Sequence, residues 1–194
     1  MSVINPTDVS IHELLTRRKS PYAFDPNKTV SQDDLTALFE AARWTMSSYN
    51  AQPWRYIVGV KERSPEVWQQ IYSVLLEGNQ PWAGNAPVLI LGLTEHTFEH
   101  NGQNNKAAQH DLGAASAYLT LEATARGLYV HQMIGIDPDK ARQVFGISGT
   151  LEPLTGMAVG YLGAPTDVAE TFAQRDQRER QRKTLSELVL KGGF

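Results

Sequence analysis

The chain has no cysteine in its 194 residues. That absence excludes disulfide scaffolds, thiolate nucleophiles, cysteine-ligated zinc and iron–sulfur clusters together. It also has no basic excess: 18 Lys and Arg against 21 Asp and Glu give a formal charge of -3. No nucleic-acid partner is expected from such a balance, because general binders need a net basic face. Long apolar runs are missing as well. The longest, Ala86 to Leu93 (APVLILGL), reads as a buried strand and is too short to cross a bilayer. The opening MSVINPTDVS lacks the basic and apolar regions of a secretory signal, so a cytoplasmic protein without a membrane partner is expected. No G-x-G-x-x-G spacing, internal repeat or low-complexity tract occurs.

Hydrophobic residues make up 41% and charged residues 20% of the chain, enough for one compact domain with its own core. A first helix is expected from about Asp8 to Arg17. A second begins at Ser31, where Ser31-Gln-Asp-Asp34 resembles a capping box, and buries Leu35, Leu38, Phe39 and Ala42. Trp54 to Lys61 reads as a strand, and Ser64-Pro65 as a helix start with Pro at its first position. Pro87 to Leu93 is a second strand, and a long helix spans roughly Asn104 to Arg126, closed by Gly127. Leu128 to Ile136 is extended, and Asp137-Pro138 starts a short helix that closes at Gly146. Thr155 to Leu162 is the fourth strand. Strands alternating with helices suggest, on pattern alone, a parallel α/β sheet. Beyond Pro165 no clear apolar period appears until Leu185-Ser-Glu-Leu-Val-Leu190, preceded by Arg175, Arg178, Arg180, Arg182 and Lys183. Such a charge run is either a solvated surface or part of a tail that docks on something.

Two loops carry residue types suited to chemistry. Arg17, Arg18, Lys19 and Ser20 follow the first helix and offer forked donors for a phosphate; they equally suit a helix C-terminus complementing its dipole. Ser47-Ser-Tyr-Asn-Ala-Gln-Pro-Trp54 links a helix to a strand, with Asn50 and Gln52 able to read a heterocycle's edge; turn chemistry alone would also supply Ser, Asn and Pro. His96-Thr-Phe-Glu-His100 matches an H-x-x-E-H pattern. It follows a strand and enters loop composition rather than a helix, so no metal is expected. Asn27-Lys-Thr29 is a chance sequon. His131 reads as an ordinary packed histidine or a substrate contact.

In this order and spacing the two loops resemble the FMN-dependent nitroreductase family, whose opening motif is a basic pair, Ser, a variable residue, a basic residue and Phe. Its second motif is matched at Ser47, Ser48, Asn50, Gln52, Pro53 and Trp54. Asn85-Ala-Pro-Val, His110-Asp-Leu-Gly-Ala-Ala, Met133-Ile-Gly-Ile-Asp137 and Arg180 to Val189 are similar to further family segments. The resemblance implies an α+β, three-layer α/β/α sandwich with a mixed, largely antiparallel sheet. It implies an FMN-binding domain at 1–165 and an extension at 166–194 wrapping the partner of a homodimer. Arg18 and Ser20, flanked by Arg17 and Lys19, would hold the FMN phosphate, completed by Arg180 and Arg182. Ser47, Ser48, Asn50 and Gln52 would line the flavin, in part from the partner subunit. Asn79 would bond the ring edge, and the backbone of Ile134 and Gly135 would face flavin N5. NADH or NADPH would give a hydride to N5, and a small nitroaromatic, quinone, enal or aldehyde would then take it. No catalytic side chain is implied. An alternative is a flavin-binding protein of the same fold without turnover. Tyr22 stands where most family members carry Arg or Lys.

Overall fold

The computed structural model describes residues 5–147 and 149–192. Among them, strands β1 (Trp54–Val60), β2 (Val88–Glu95), β3 (Tyr129–Met133) and β4 (Leu151–Gly160) form one sheet in the order β1-β2-β4-β3. All three pairings are antiparallel. The α+β sandwich implied by the resemblance is therefore present, and the parallel sheet suggested by simple alternation is not. The described sheet is also antiparallel throughout rather than mixed.

The first connection shows why. Helix α3 (Pro65–Val74) carries the chain back to the end where β1 began. The segment containing α4 (Gln80–Ala83) then returns it, so that Lys61 N–H donates to the Pro87 carbonyl at 2.9 Å and Val88 pairs with Val60. Two passes between the strands leave β2 running against β1.

β2 is buried on both faces, and its alternation sorts the core into two halves. Val88 and Ile90 face Leu35, Leu38 and Ala42 of α2 (Gln32–Arg43) and Leu112, Leu119 and Ala123 of α5 (Ala108–Ala125). Leu89 and Leu91 face Trp68, Ile71 and Val74 of α3 and Ala141 of α6 (Pro138–Phe145). This gives the three layers.

Local signals act where the sequence places them. The Ser31 hydroxyl accepts the Asp34 N–H at 3.0 Å, Asp137 accepts from Lys140 N–H at 2.9 Å, and Gly127 and Gly146 end their helices in the left-handed conformation. Ser64 behaves differently: its hydroxyl accepts from Val60 N–H at 2.8 Å and does not cap α3.

Several boundaries move. α1 covers only Glu13–Arg17, and α5 starts at Ala108 because Asn104 bridges to Thr97 and Asn105 accepts from Ala107 N–H. β3 stops at Met133. β4 begins at Leu151, four residues before the expected Thr155, with Pro153 beside a register shift at Gly92/Leu93; irregular pairing there tolerates the proline's missing N–H. Helix α7 (Glu170–Gln177) forms where no apolar period is visible, and a single turn, α8 (Leu185–Leu188), follows.

Candidate functional site

Three groups of the expected residues come together separately. The first is basic. Arg18 donates from Nη1 to the Ser20 hydroxyl at 3.1 Å, and Arg180 donates from Nη1 to the Arg18 carbonyl at 2.7 Å. Burial pulls the Arg18 guanidinium's pKa down, and the charge of Arg182 adds to it. Burial likewise lowers Arg180, with further contributions from Arg18 and Arg182. Lys19 is lowered by burial, held up by Asp176 and pushed down by Arg180. Mutually repelling cations in a partly buried concavity form a site whose charge an anion would relieve. Asn5, Ile11 and Leu15 line this concavity with Arg18, Arg180 and Arg182. Arg17 does not join the group; it pairs with Glu13 at 3.6 Å on α1.

Tyr22 turns into the apolar layer instead. Its ring packs edge-on against Trp82 (5.3 Å between centroids) and His131 (4.8 Å), and lies tilted at 5.2 Å from Phe172. His131 stacks on Trp82 at 4.3 Å, and its Nδ1 lies 2.9 Å from the Pro21 carbonyl, which can only accept, so this nitrogen carries a proton. Burial lowers the His131 pKa, opposed by the Pro21 bond and by Asp176.

In the second group, Asn79 donates from Nδ2 to the Gly135 carbonyl at 2.9 Å, and Leu76 N–H donates to the same oxygen at 3.0 Å. A Cβ on Gly135 would lie 2.5 Å from Asn79 Nδ2, so glycine is needed for this close approach. Asn79 thus anchors the turn that presents Ile134, which is 70% exposed.

The third group is the loop feeding β1. Tyr49, Asn50 and Gln52 have φ of 52°, 53° and 47°, a left-handed conformation that costs non-glycine residues about 1–2 kcal/mol each. The loop is tied down accordingly. Gln52 N–H donates to the Ser47 hydroxyl at 3.0 Å, Gln52 Nε2 to the Asn50 carbonyl at 3.2 Å, and Ser48 N–H to Asp111 at 3.0 Å. Because β1 and β3 are opposite edges of the sheet, this loop and the Ile134–Gly135 turn sit at the same end of the sheet, with two strands between them.

Sequence reasoning missed Asp111 and Asp176. Asp111 is 2% exposed yet sits in the first turn of α5, where an acidic residue suits the helix dipole and signals nothing else. Asp176 accepts from Tyr22 N–H at 2.9 and 3.0 Å and from Ala23 N–H at 2.9 Å, partners more than 150 positions away. His96 lies beyond β2 on no helix and bonds Glu152 at 2.5 Å; it and His100 do not share a helix face.

The nitroreductase family model matches residues 15–161. An uncharacterized 15.4 kDa protein of Mycolicibacterium smegmatis is 32% identical over 147 residues, covering 71% of this chain and 95% of that protein. The major NAD(P)H-flavin oxidoreductase of Aliivibrio fischeri is 39% identical over a shorter stretch of 71 residues, 37% of this chain and 32% of that protein. A solved structure described as an oxidoreductase containing FMN superposes with a TM-score of 0.89 at 30% identity, covering 98% of this chain and 96% of the other. With the family model spanning most of its length, the three-layer sheet and the grouped motif residues in place, the chain belongs to the nitroreductase family.

Proposed function

We propose that the chain is an FMN-dependent NAD(P)H oxidoreductase acting on small electron-poor acceptors such as nitroaromatics, quinones, enals or aldehydes. The observation that carries this reading is the convergence of Arg18, Arg180 and Arg182 on one partly buried concavity, with the Ser20 hydroxyl bonded to Arg18 and Lys19 next in the chain. A phosphate monoester of charge near −2 fits that donor set, each charge-assisted bond contributing about 1.5–3 kcal/mol. When bound, FMN supplies reversible acceptance of a hydride. The chain's own residues bind and orient. Arg18, Ser20, Arg180 and Arg182 hold the phosphate, Asn79 fixes the turn at Ile134 and Gly135, and Ser47, Ser48, Asn50 and Gln52 line the ring and side chain. Exposed Ile134 and Leu76 leave an apolar approach for a planar acceptor.

The opposite-edge placement of the Ser47–Gln52 loop supports a homodimer in which a second copy brings its own loop to each basic site. Residues 1–165 form the binding domain. Within the extension 166–194, the part through Arg182 docks on its own chain, and Leu188 and Leu190, 60% and 86% exposed, are the part available to a partner. An absorption spectrum of the purified protein tests the reading, followed by anaerobic addition of NADH or NADPH and then a quinone or nitroaromatic. A flavin band bleached by a nicotinamide and restored by the acceptor is expected. A protein that takes up no FMN refutes the reading. One that holds FMN but is bleached by neither nicotinamide is a flavin-binding protein without turnover.

A further inference from the structure

We infer that Asp176 is a positioning residue of the phosphate site, holding the Arg18–Ala23 segment in the shape that presents Arg18 and Ser20. The inference rests on the FMN reading above. α7 lays its last turn across this segment, and the contact is made through backbone. The Asp176 carboxylate takes Tyr22 N–H on both oxygens and Ala23 N–H on Oδ2. Four residues further on, Arg180 donates to the Arg18 carbonyl. From the sheet side, His131 donates to the Pro21 carbonyl. Six consecutive residues are thus gripped at positions 18, 21, 22 and 23, and the ungripped middle carries Ser20, whose hydroxyl accepts from Arg18. Phe172 and Ala173 seat the same helix against Tyr22 and the apolar layer.

Charge and geometry pull in opposite directions here, which makes the role testable. Asp176 is close enough to Lys19 to stabilise its ammonium, so its negative charge weakens the field that an anion meets. If electrostatics were its whole contribution, removing the charge would tighten phosphate binding. If it positions the segment, removing it loosens binding. Asp176→Asn is nearly isosteric, but it offers one oxygen and turns an NH2 toward a backbone N–H, so at least one of the three bonds is lost.

The test uses the full-length chain, freed of flavin, and compares FMN with riboflavin binding by quenching of flavin fluorescence. For Asp176→Asn a loss of FMN affinity of about ten-fold is expected, the equivalent of one hydrogen bond to a charged group, with riboflavin affinity unchanged. Unchanged or tighter FMN binding would overturn the inference, as would equal losses for FMN and riboflavin, which mark a general structural role. A wild-type chain that binds FMN no better than riboflavin would instead sink the phosphate assignment itself. A second measurement needs no variant: amide hydrogen exchange of the wild-type apoprotein. Inorganic phosphate should slow exchange at Tyr22 and Ala23 while riboflavin does not. Exchange at those two amides that ignores phosphate would refute the coupling even if Asp176→Asn fails to fold.

Discussion

Gly135 and Asn79 offer a test whose sign depends on the partner. An alanine at 135 puts its methyl 2.5 Å from Asn79 Nδ2, against an ordinary contact beyond 3.4 Å. The amide must swing away by about 1 Å, which breaks its 2.9 Å bond to the Gly135 carbonyl at a cost of about 0.5–1.5 kcal/mol. That carbonyl keeps Leu76 N–H, so no acceptor is stranded. Gly135 is not among the glycines with positive φ, so alanine also stiffens the unfolded chain, a gain of about 0.4–1 kcal/mol. Gly135→Ala alone should therefore be near neutral. Asn79→Ala loses the same bond and costs about 1 kcal/mol, lowering Tm by about 2–4 °C. In the Asn79→Ala background the clash is gone, and Gly135→Ala should stabilise. Urea denaturation of the four proteins at one protomer concentration gives the cycle, with an expected coupling of about 1 kcal/mol. Effects of Gly135→Ala equal in both backgrounds to within about 0.3 kcal/mol would refute the argument that these side chains compete for one space.

Arg18→Ala should weaken FMN binding about ten-fold or more while riboflavin binds as before, measured by fluorescence titration. Because burial depresses the His131 pKa below its ordinary 6.5, the unfolded chain takes up a proton below that pH before the folded one does. Stability should fall on acidification below pH 6.5, Arg18 reinforcing and Asp176 opposing the effect, and the urea midpoint of His131→Gln should show a shallower slope there. Deleting residues 184–194 leaves Asp176, Arg180 and Arg182 in place, so FMN should still be preferred over riboflavin while the proposed dimer weakens. Deleting everything after Pro165 should abolish the preference as well, and light scattering with flavin titration separates the two outcomes.

Much of this was readable in the sequence where local chemistry decides: the Ser31 and Asp137 caps, the glycine stops at 127 and 146, and the apolar face of α2. The antiparallel order was not, because periodicity fixes which face of a strand is buried but not which way its neighbour runs. α7 was hidden because ETFAQRDQ buries only Ala173; it is held by the Phe172 ring and by a carboxylate on distant backbone, which leave no apolar period. The start of β4 was masked by Pro153, tolerated beside an irregularity that pairing alone reveals. Among the candidate site residues, the family resemblance pointed to Arg18, Ser20, Asn79, Gly135 and Arg180, whereas Asp111 and Asp176 accept from distant backbone N–H groups that no spacing in the sequence marks.

The grip of α7 on the Arg18–Ala23 segment has a consequence for synthesis. The residues that grip this segment lie 154 and 162 positions after the ones they hold. At about 5–20 residues per second, the basic segment waits roughly ten to thirty seconds on the ribosome before Asp176 and Arg180 exist. β1 and β2 are made well within that interval, whereas β4, which joins β2 to β3, is complete only at Gly160, shortly before Asp176. On the proposed role of this segment, a ribosome that stalls before residue 176 leaves Arg18 to Ala23 without the bonds from Asp176 and Arg180 that shape it for a phosphate.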